Sequence, residues 1–333
     1  MDLNILNSYY QDNLLIARKH PNLPLTIWNY SQKAQYNNKW DDITLNCRGL
    51  VTDDQGNIIA RPFKKFFNLE ENKHTATKDF KVYEKMDGCL IIVFYYQGQW
   101  ICASRGSFNS SQAIKATQLL KNYNTSILNT INTYMFELIA PESKIVCQYD
   151  YEDLILLGAR NTNTGVEFNV HTTKYKDLNL VKRYDSIHDY THLKDNIDNN
   201  REGYVIRFSN GHRAKIKGKD YLRLHKAMSQ LTTKAIWECL KNGDNIYQII
   251  DTVPDEYFDK IKAYVTKLNV KYNLARKAIF DEYANIIMYT GDRKEFAQKA
   301  QKSKYAGILF NILDDRPYED KIWELIKPKT EML

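Results

Sequence analysis

A lysine stands two residues before an Asp-Gly pair at Lys85-Met86-Asp87-Gly88. A lysine amine is a nucleophile only when neutral. With an ordinary pKa of ~10.4 it needs neighbouring cations and desolvation to lose its proton near neutral pH. Alone, the tetrapeptide reads better as an exposed lysine in an Asp-Gly turn, and its company decides. Upstream lie Arg48-Gly49 and then Arg61-Pro62-Phe63-Lys64-Lys65-Phe66-Phe67-Asn68. Cations interleaved with rings suit a ligand that is phosphate at one end and base or ribose at the other. A core strand edged by solvated lysines is the plainer alternative. Downstream, Ser104-Arg105-Gly106-Ser107 adds a further cation. Phe136-Glu137-Leu138 places one carboxylate in an apolar run, where burial is costly without a hydrogen-bond partner such as a ribose hydroxyl. Arg201-Glu202-Gly203 opens a segment whose return carries Lys215-Ile216-Lys217. Period-two geometry puts Lys215 and Lys217 on one face and Ile216 on the other.

Short strands must hold these groups. Residues 90–96 and 100–104 flank Gln97-Gly98, and residues 204–208 and 213–217 flank Asn210-Gly211; both patterns predict hairpins. Residues 134–139, 145–149 and 154–159 read as further strands. Residues 110–128 read as a helix capped by Ser110 or Ser111. Past His225 the apolar spacing becomes three and four, predicting helices over 224–241, 256–289, 293–301 and 318–326, punctuated by Gly243, Pro254, Gly291 and Gly307. The expected organisation is an α+β domain over 1–223 followed by an all-helical domain over 224–333.

The chain carries 47 Lys and Arg against 40 Asp and Glu, a net charge of +7. That balance is compatible with a polyanionic partner without specifying one. No run of about eighteen apolar residues occurs, so no membrane-spanning helix is expected. The polar, Asn-rich start lacks the basic-then-apolar pattern of a signal peptide, and a cytoplasmic location is expected. The 5 cysteines are widely spaced without a C-x-x-C pair, pointing to buried thiols and against a zinc site or a disulfide framework.

In this order, Cys47-Arg48-Gly49, Lys65-Phe66-Phe67-Asn68-Leu69, Lys85-x-Asp87-Gly88, Gly106-Ser107, Phe136-Glu137, Glu202-Gly203-Tyr204-Val205 and Lys215-Ile216-Lys217 resemble the covalent nucleotidyltransferase superfamily of ATP-dependent ligases and messenger-RNA capping enzymes. Within it the chain looks most like the RNA ligase 1 family typified by the T-even bacteriophage enzyme, over roughly residues 25–225. The resemblance implies an adenylyltransferase domain of antiparallel sheets with flanking helices, of the ATP-grasp-like ligase kind. It implies ATP as adenylate donor and Mg2+, with Mn2+ able to substitute. The implied catalytic groups are Lys85 as nucleophile, Lys215 and Lys217 on the α-phosphate, and Glu202 near the metal or Lys85. Arg48 and Lys65 would meet the phosphates or ribose end, Glu137 a ribose hydroxyl, and Val205 or Phe67 the adenine. Arg105, standing where the family usually has Lys, and Tyr30 are candidates for the triphosphate. Asp244 is a candidate metal ligand in the helical domain. Asp87 would support the Lys85 loop, with Gly88 permitting close approach, and Tyr221 would begin the helical domain. Implied partners are single-stranded or broken-loop RNA ends, tRNA among them, with an end-healing kinase/phosphatase; a monomer without a membrane association is expected. A DNA ligase or a capping enzyme is the nearest alternative, although both follow the last lysine motif with a β-barrel where this chain turns helical. A non-catalytic RNA-end-binding protein would be expected to lose Lys85 or the distal lysines.

Overall fold

The structure is a computed structural model and describes residues 1–71, 77, 79–140, 146–198, 200–228, 231–250, 253 and 257–332. The chain divides into two compact units, Met1–His225 and Lys226–Leu333, a boundary two residues past the expected one.

Three sheets build the first unit. Strands β1 (Leu15–Lys19), β2 (Leu25–Tyr30), β3 (Arg48–Asp53) and β4 (Ile58–Ala60) form an antiparallel sheet in sequence order. The remaining strands are β5 (Phe67–Asn68), β6 (Phe80–Lys85), β7 (Cys89–Tyr96), β8 (Gln99–Ser104), β9 (Asn132–Ile139), β10 (Asp153–Asn161), β11 (Glu167–Phe168), β12 (Arg183–Tyr184), β13 (Gly203–Phe208) and β14 (Arg213–Lys217). They make a second sheet ordered β11-β10-β9-β7-β8 and a third ordered β12-β6-β13-β14-β5. Both predicted hairpins form, β7–β8 and β13–β14. The sheets are not purely antiparallel as expected, because β5 runs parallel to β14.

Alternation along β7 explains how the layers stack. Ile92 and Phe94 pack with Leu25, Ile27, Val51 and Ala60 of the first sheet. Ile91 and Val93 point the other way, joining Ala116 and Leu120 of the helix Ser111–Leu120 and Tyr134 and Phe136 of β9. A strand buried on both faces reads as an unbroken apolar run, as Leu90-Ile91-Ile92-Val93-Phe94 does. In the third sheet, Val82, Tyr204, Ile206, Phe208 and Ile216 share one apolar face with Leu193. Tyr83 lies on the opposite face, in a cluster with Ile139, Ile155 and Val181. Away from Lys85, the buried edge of that interface is ionic. Glu167 of β11 lies 2.7 Å from Arg213, 3.1 Å from Arg207 and 3.8 Å from Arg160. Burial alone would raise the Glu167 carboxyl, but the guanidiniums outweigh it and hold it below the usual range.

Two predicted elements differ. Residues 146–149 form no strand; the Val146 and Cys147 amides go to Asp87 and the Gln148 amide to Asn200 (Ile145 lies outside the described residues). The helix predicted over 110–128 stops at Leu120, because Asn124 captures the Ser126 amide at 3.1 Å and starts a separate 3-10 turn.

The described part of the second unit consists of the helices Thr233–Lys241, Tyr247–Ile250, Phe258–Met288, Arg293–Ala300, Ala306–Leu313 and Glu319–Leu325. Ile279, Ile286, Phe296, Leu309 and Ile322 form a buried core there. The single helix predicted over 224–241 is two, Lys219–Met228 and Thr233–Lys241, the second capped by the Thr232 hydroxyl on the Ala235 amide. Residues 229–230, Pro254 and Glu256, the predicted start of the long helix, lie outside the described residues. Ala306–Leu313 was not anticipated. Among the described residues no helix is long and apolar enough to cross a membrane.

Candidate active site

The register of the third sheet sets the site. Lys85, Gly203 and Lys217 form one row across β6, β13 and β14, and Tyr83, Val205 and Lys215 form the next. Both rows lie on the face away from Val82, Tyr204 and Ile216, so three lysines share one surface with Val205 among them. Strict alternation would place Glu202 on the apolar face beside Tyr204. Gly203 has φ +150°, a conformation L side chains rarely adopt, and it turns Glu202 to the lysine face. A Cβ at Gly203 would lie 1.9 Å from the Ile216 carbonyl oxygen, so no other residue fits.

Glu202 is buried, with Oε2 2.8 Å from Lys85 Nζ and Oε1 3.9 Å from Lys217 Nζ. Burial works against the Lys85 charge, but Glu202, Glu137 and Asp87 outweigh it and hold the ammonium above the usual lysine range. The direction in the metal-free protein is therefore upward, whereas the chemistry expected from sequence needs nearby cations to lower it. Glu137 projects from β9 of the second sheet. Burial pushes its carboxyl up to about 7, with Lys85 and Arg48 opposing and Glu202 and Asp87 adding to the shift. Its carboxylate makes no hydrogen bond or ion pair with any described residue.

Asp87 is fully enclosed and structural. Its Oδ2 accepts from the Val146 and Cys147 amides, both at 2.7 Å, and its Oδ1 from the Tyr221 hydroxyl at 3.0 Å. The Asp87 amide donates to the Tyr149 hydroxyl at 3.0 Å. Next to it, a Cβ on Gly88 would lie 2.3 Å from the Leu138 carbonyl oxygen, which explains the glycine. Thus Tyr221 ties the end of the unit to the Lys85 loop besides starting a helix, and Tyr149 joins it; neither role is visible in local sequence. Behind the site, on the opposite face, the sequence neighbours of Lys85 and Glu202 are joined as well. Arg201 lies 3.9 Å from Glu84 and donates to the Tyr184 hydroxyl at 2.9 Å, which donates to Glu84 at 3.2 Å.

Three cations, Arg48, Lys65 and Arg105, gather around Tyr30. Arg105 donates to its hydroxyl at 3.2 Å and lies 5.3 Å from its ring centre. Arg48, whose charge burial opposes, also hydrogen-bonds Tyr30 and lies 5.7 Å from the Phe66 ring centre. Lys65 is caged by rings, its Nζ 5.4 Å from Tyr30, 5.5 Å from Trp40 and 5.5 Å from Phe67. Phe67 therefore packs on a cation, and Trp40 is a third wall that sequence did not single out. Arg48 and Glu137 influence each other's charge, connecting this group to Lys85. Asp244 lies exposed in the second unit, and among the described residues no group of three or more His, Cys, Asp or Glu gathers to hold a metal.

A half-buried lysine paired with a glutamate, a second lysine in the same row, a third in the next row, and a carboxylate without a hydrogen bond to any described residue make up the candidate site. The chain belongs to a family described as RNA ligase, whose model matches residues 46–227, more than half its length. It is 23% identical over 309 residues, 81% of this chain, to an Autographa californica nuclear polyhedrosis virus protein named as a bifunctional polynucleotide kinase/RNA ligase, and spans 44% of that protein. It is 20% identical to an RNA ligase of Rhodothermus phage RM378 over 88% of this chain and 83% of the phage protein. Among solved structures, an Aquifex aeolicus protein described as an ATP-dependent DNA ligase superposes with TM-score 0.50 at 13% identity, covering 95% of this chain and 100% of that one; this likeness concerns the fold.

Proposed function

We propose that the chain is an ATP-dependent RNA ligase joining 5′-phosphate and 3′-hydroxyl ends, with Lys85 as nucleophile. The observation that carries the reading is Lys85 enclosed beside Glu202, with Lys217 and Lys215 across β13, in a member of an RNA ligase family. Neutral Lys85 Nζ attacks the α-phosphorus of ATP, the bond to the pyrophosphate oxygen breaks, and AMP remains on the nitrogen. A 5′-phosphate oxygen of RNA then takes the AMP and restores the amine. A 3′-hydroxyl attacks that activated phosphate, losing its proton, and AMP leaves. Lys215 and Lys217 offset charge on the α-phosphate and its neighbours, an electrostatic task. Glu137, without a hydrogen bond to any described residue, would accept from a ribose hydroxyl. Arg48, Lys65, Arg105 and Tyr30 suit the polyphosphate, and Val205 suits the base.

Glu137 and Glu202 are hard oxygen donors beside Lys85, a donor set that fits Mg2+ or Mn2+. Bound there, such an ion would neutralise phosphate charge and lower the pKa of Lys85. The helical unit is read as selecting the RNA, and an end-healing kinase/phosphatase as the partner that supplies ligatable ends; the name of the Autographa californica virus relative joins a polynucleotide kinase to an RNA ligase.

The test is mass spectrometry of the protein after ATP and Mg2+. An adduct of one AMP is expected, and it should vanish in Lys85→Ala. No adduct with any divalent metal overturns the adenylation chemistry. Sealing nicked duplex DNA as well as single-stranded RNA ends overturns the substrate.

A further inference from the structure

Charge in the second unit is segregated. Residues 260–278 hold Lys260, Lys262, Lys267, Lys271, Arg276 and Lys277 and no Asp or Glu. The remainder of the unit, 226–259 and 279–333, holds twelve Lys or Arg against sixteen Asp or Glu. The cationic run is one continuous stretch of the helix Phe258–Met288. At 1.5 Å per residue it extends about 27 Å.

The helix is anchored along one stripe. Ile261, Leu268, Ile279 and Ile286 are buried, at spacings of seven and eleven that keep them in register with the helical repeat. Lys260, Lys267 and Lys271 repeat at i, i+7 and i+11 on a second, solvent-facing stripe, with Lys277 flanking it. None of these four forms an ion pair with any described residue. Their helix neighbour Lys262 instead pairs with Asp259 at 3.8 Å, and Lys234 with Glu238 at 3.4 Å on another helix. Beside the lysines, Val270 and Leu274 are 51% and 64% exposed, one turn apart. Four cations without carboxylates over such a length carry mutual repulsion, which a polyanion laid along the face would relieve.

We infer that this face, Lys260, Lys267, Lys271 and Lys277 with Val270 and Leu274, binds the phosphodiester backbone of the RNA strand. The inference rests on the ligase reading above and adds where the second unit holds its substrate. Lysines act as mobile point charges, so the recognition is of backbone and not of sequence. The two aliphatic side chains offer apolar contact to ribose or base faces between phosphates. A membrane surface fits less well: an interfacial helix needs a broad apolar face with Trp, Phe or Leu, and here the apolar stripe is already buried within the fold.

The test compares the full chain with a variant carrying Lys260→Gln, Lys267→Gln, Lys271→Gln and Lys277→Gln. The probe is a 5′-phosphorylated single-stranded RNA of about 20 nucleotides. Each lysine on a phosphate of a single strand contributes about 0.7 to the slope of log affinity against log salt, so four should flatten it by about 3. Binding near ~0.1 M salt should weaken by about tenfold or more, equally for unrelated sequences. AMP adduct formation on Lys85, which needs no RNA, should be unchanged. Unchanged RNA affinity and salt slope overturn the inference, as does loss of binding to phosphatidylserine vesicles with RNA binding intact. Failure of the unaltered protein to form the AMP adduct would count against the ligase reading instead, so the two failures are told apart.

Discussion

Glu137→Gln should make the protein more stable at alkaline pH while impairing its proposed chemistry. The Glu137 carboxyl is pushed up to about 7 from 4.5, first by burial. A carboxyl whose folded-state pKa lies above its unfolded value contributes stability that is complete below pH ~4.5 and is lost as pH rises through the folded pKa. At ~1.36 kcal/mol per pH unit, a displacement of that size amounts to about 3 kcal/mol lost by pH 8. Between pH 5, where loss has begun, and pH 8, the change is about 2.5 kcal/mol. Glutamine cannot ionise and has nearly the same shape, so the variant should lack this slope. Urea unfolding of ligand-free protein and variant at pH 5, 6, 7 and 8 measures it: the stability of Glu137→Gln relative to the unaltered chain should grow by about 2.5 kcal/mol across the series. In a unit of this size that is about 5–10 °C in melting temperature. Parallel profiles would show that Glu137 titrates normally and that the site does not hold its charge at a cost. The same variant should bind ATP more weakly, because the carboxylate without a protein partner is the proposed ribose acceptor.

Glu167→Gln should destabilise the first unit by about 3–5 kcal/mol, leaving Arg160, Arg207 and Arg213 buried without their carboxylate. A lowered carboxyl contributes stability above its unfolded pKa that is lost as pH falls, so the unaltered chain should also show the steeper acid loss; an unmoved urea midpoint would refute both statements. Gly203→Ala brings a Cβ to 1.9 Å from the Ile216 carbonyl oxygen, so Glu202 should leave Lys85 and AMP adduct formation should fall by about a hundredfold or more. A fully active, fully folded Gly203→Ala would show that the turn of Glu202 is dispensable.

The sequence-legible part of the site is the part that local rules control. Gln97-Gly98 and Asn210-Gly211 set two hairpins, and period-two spacing put Lys215 and Lys217 together, as β14 places them. What stayed hidden depends on contacts across long stretches of chain. Asp87 meets Cys147 and Tyr221, 60 and 134 residues away, and Val146 and Cys147 give their amides to that carboxylate instead of to a strand. Trp40 meets Lys65 across 25 residues of chain. The face of Glu202 depends on one backbone angle at Gly203, which the letters Glu-Gly-Tyr permit but do not dictate. The sign of the Lys85 shift required distances, since cations and carboxylates both surround it in the sequence.

The arrangement around Lys85 links its reactivity to what binds there. On the lysine face an ammonium meets the Glu202 carboxylate; directly behind, in reversed order along the same two strand ends, the Glu84 carboxylate meets Arg201 through Tyr184. The rear contacts tie together the same two strand ends that carry Lys85 and Glu202. What can change is charge. With Glu202 and Glu137 unoccupied by a cation, the amine keeps its proton and is inert. On the proposed reading, positive charge arriving with the nucleotide would compete for both carboxylates and remove the reason for that proton to stay. Nucleotide binding and activation of the nucleophile then become one event, and the chain avoids carrying a reactive amine when no ATP is present. Such coupling requires Lys85 to be held high in the free protein, which is the direction the three carboxylates enforce.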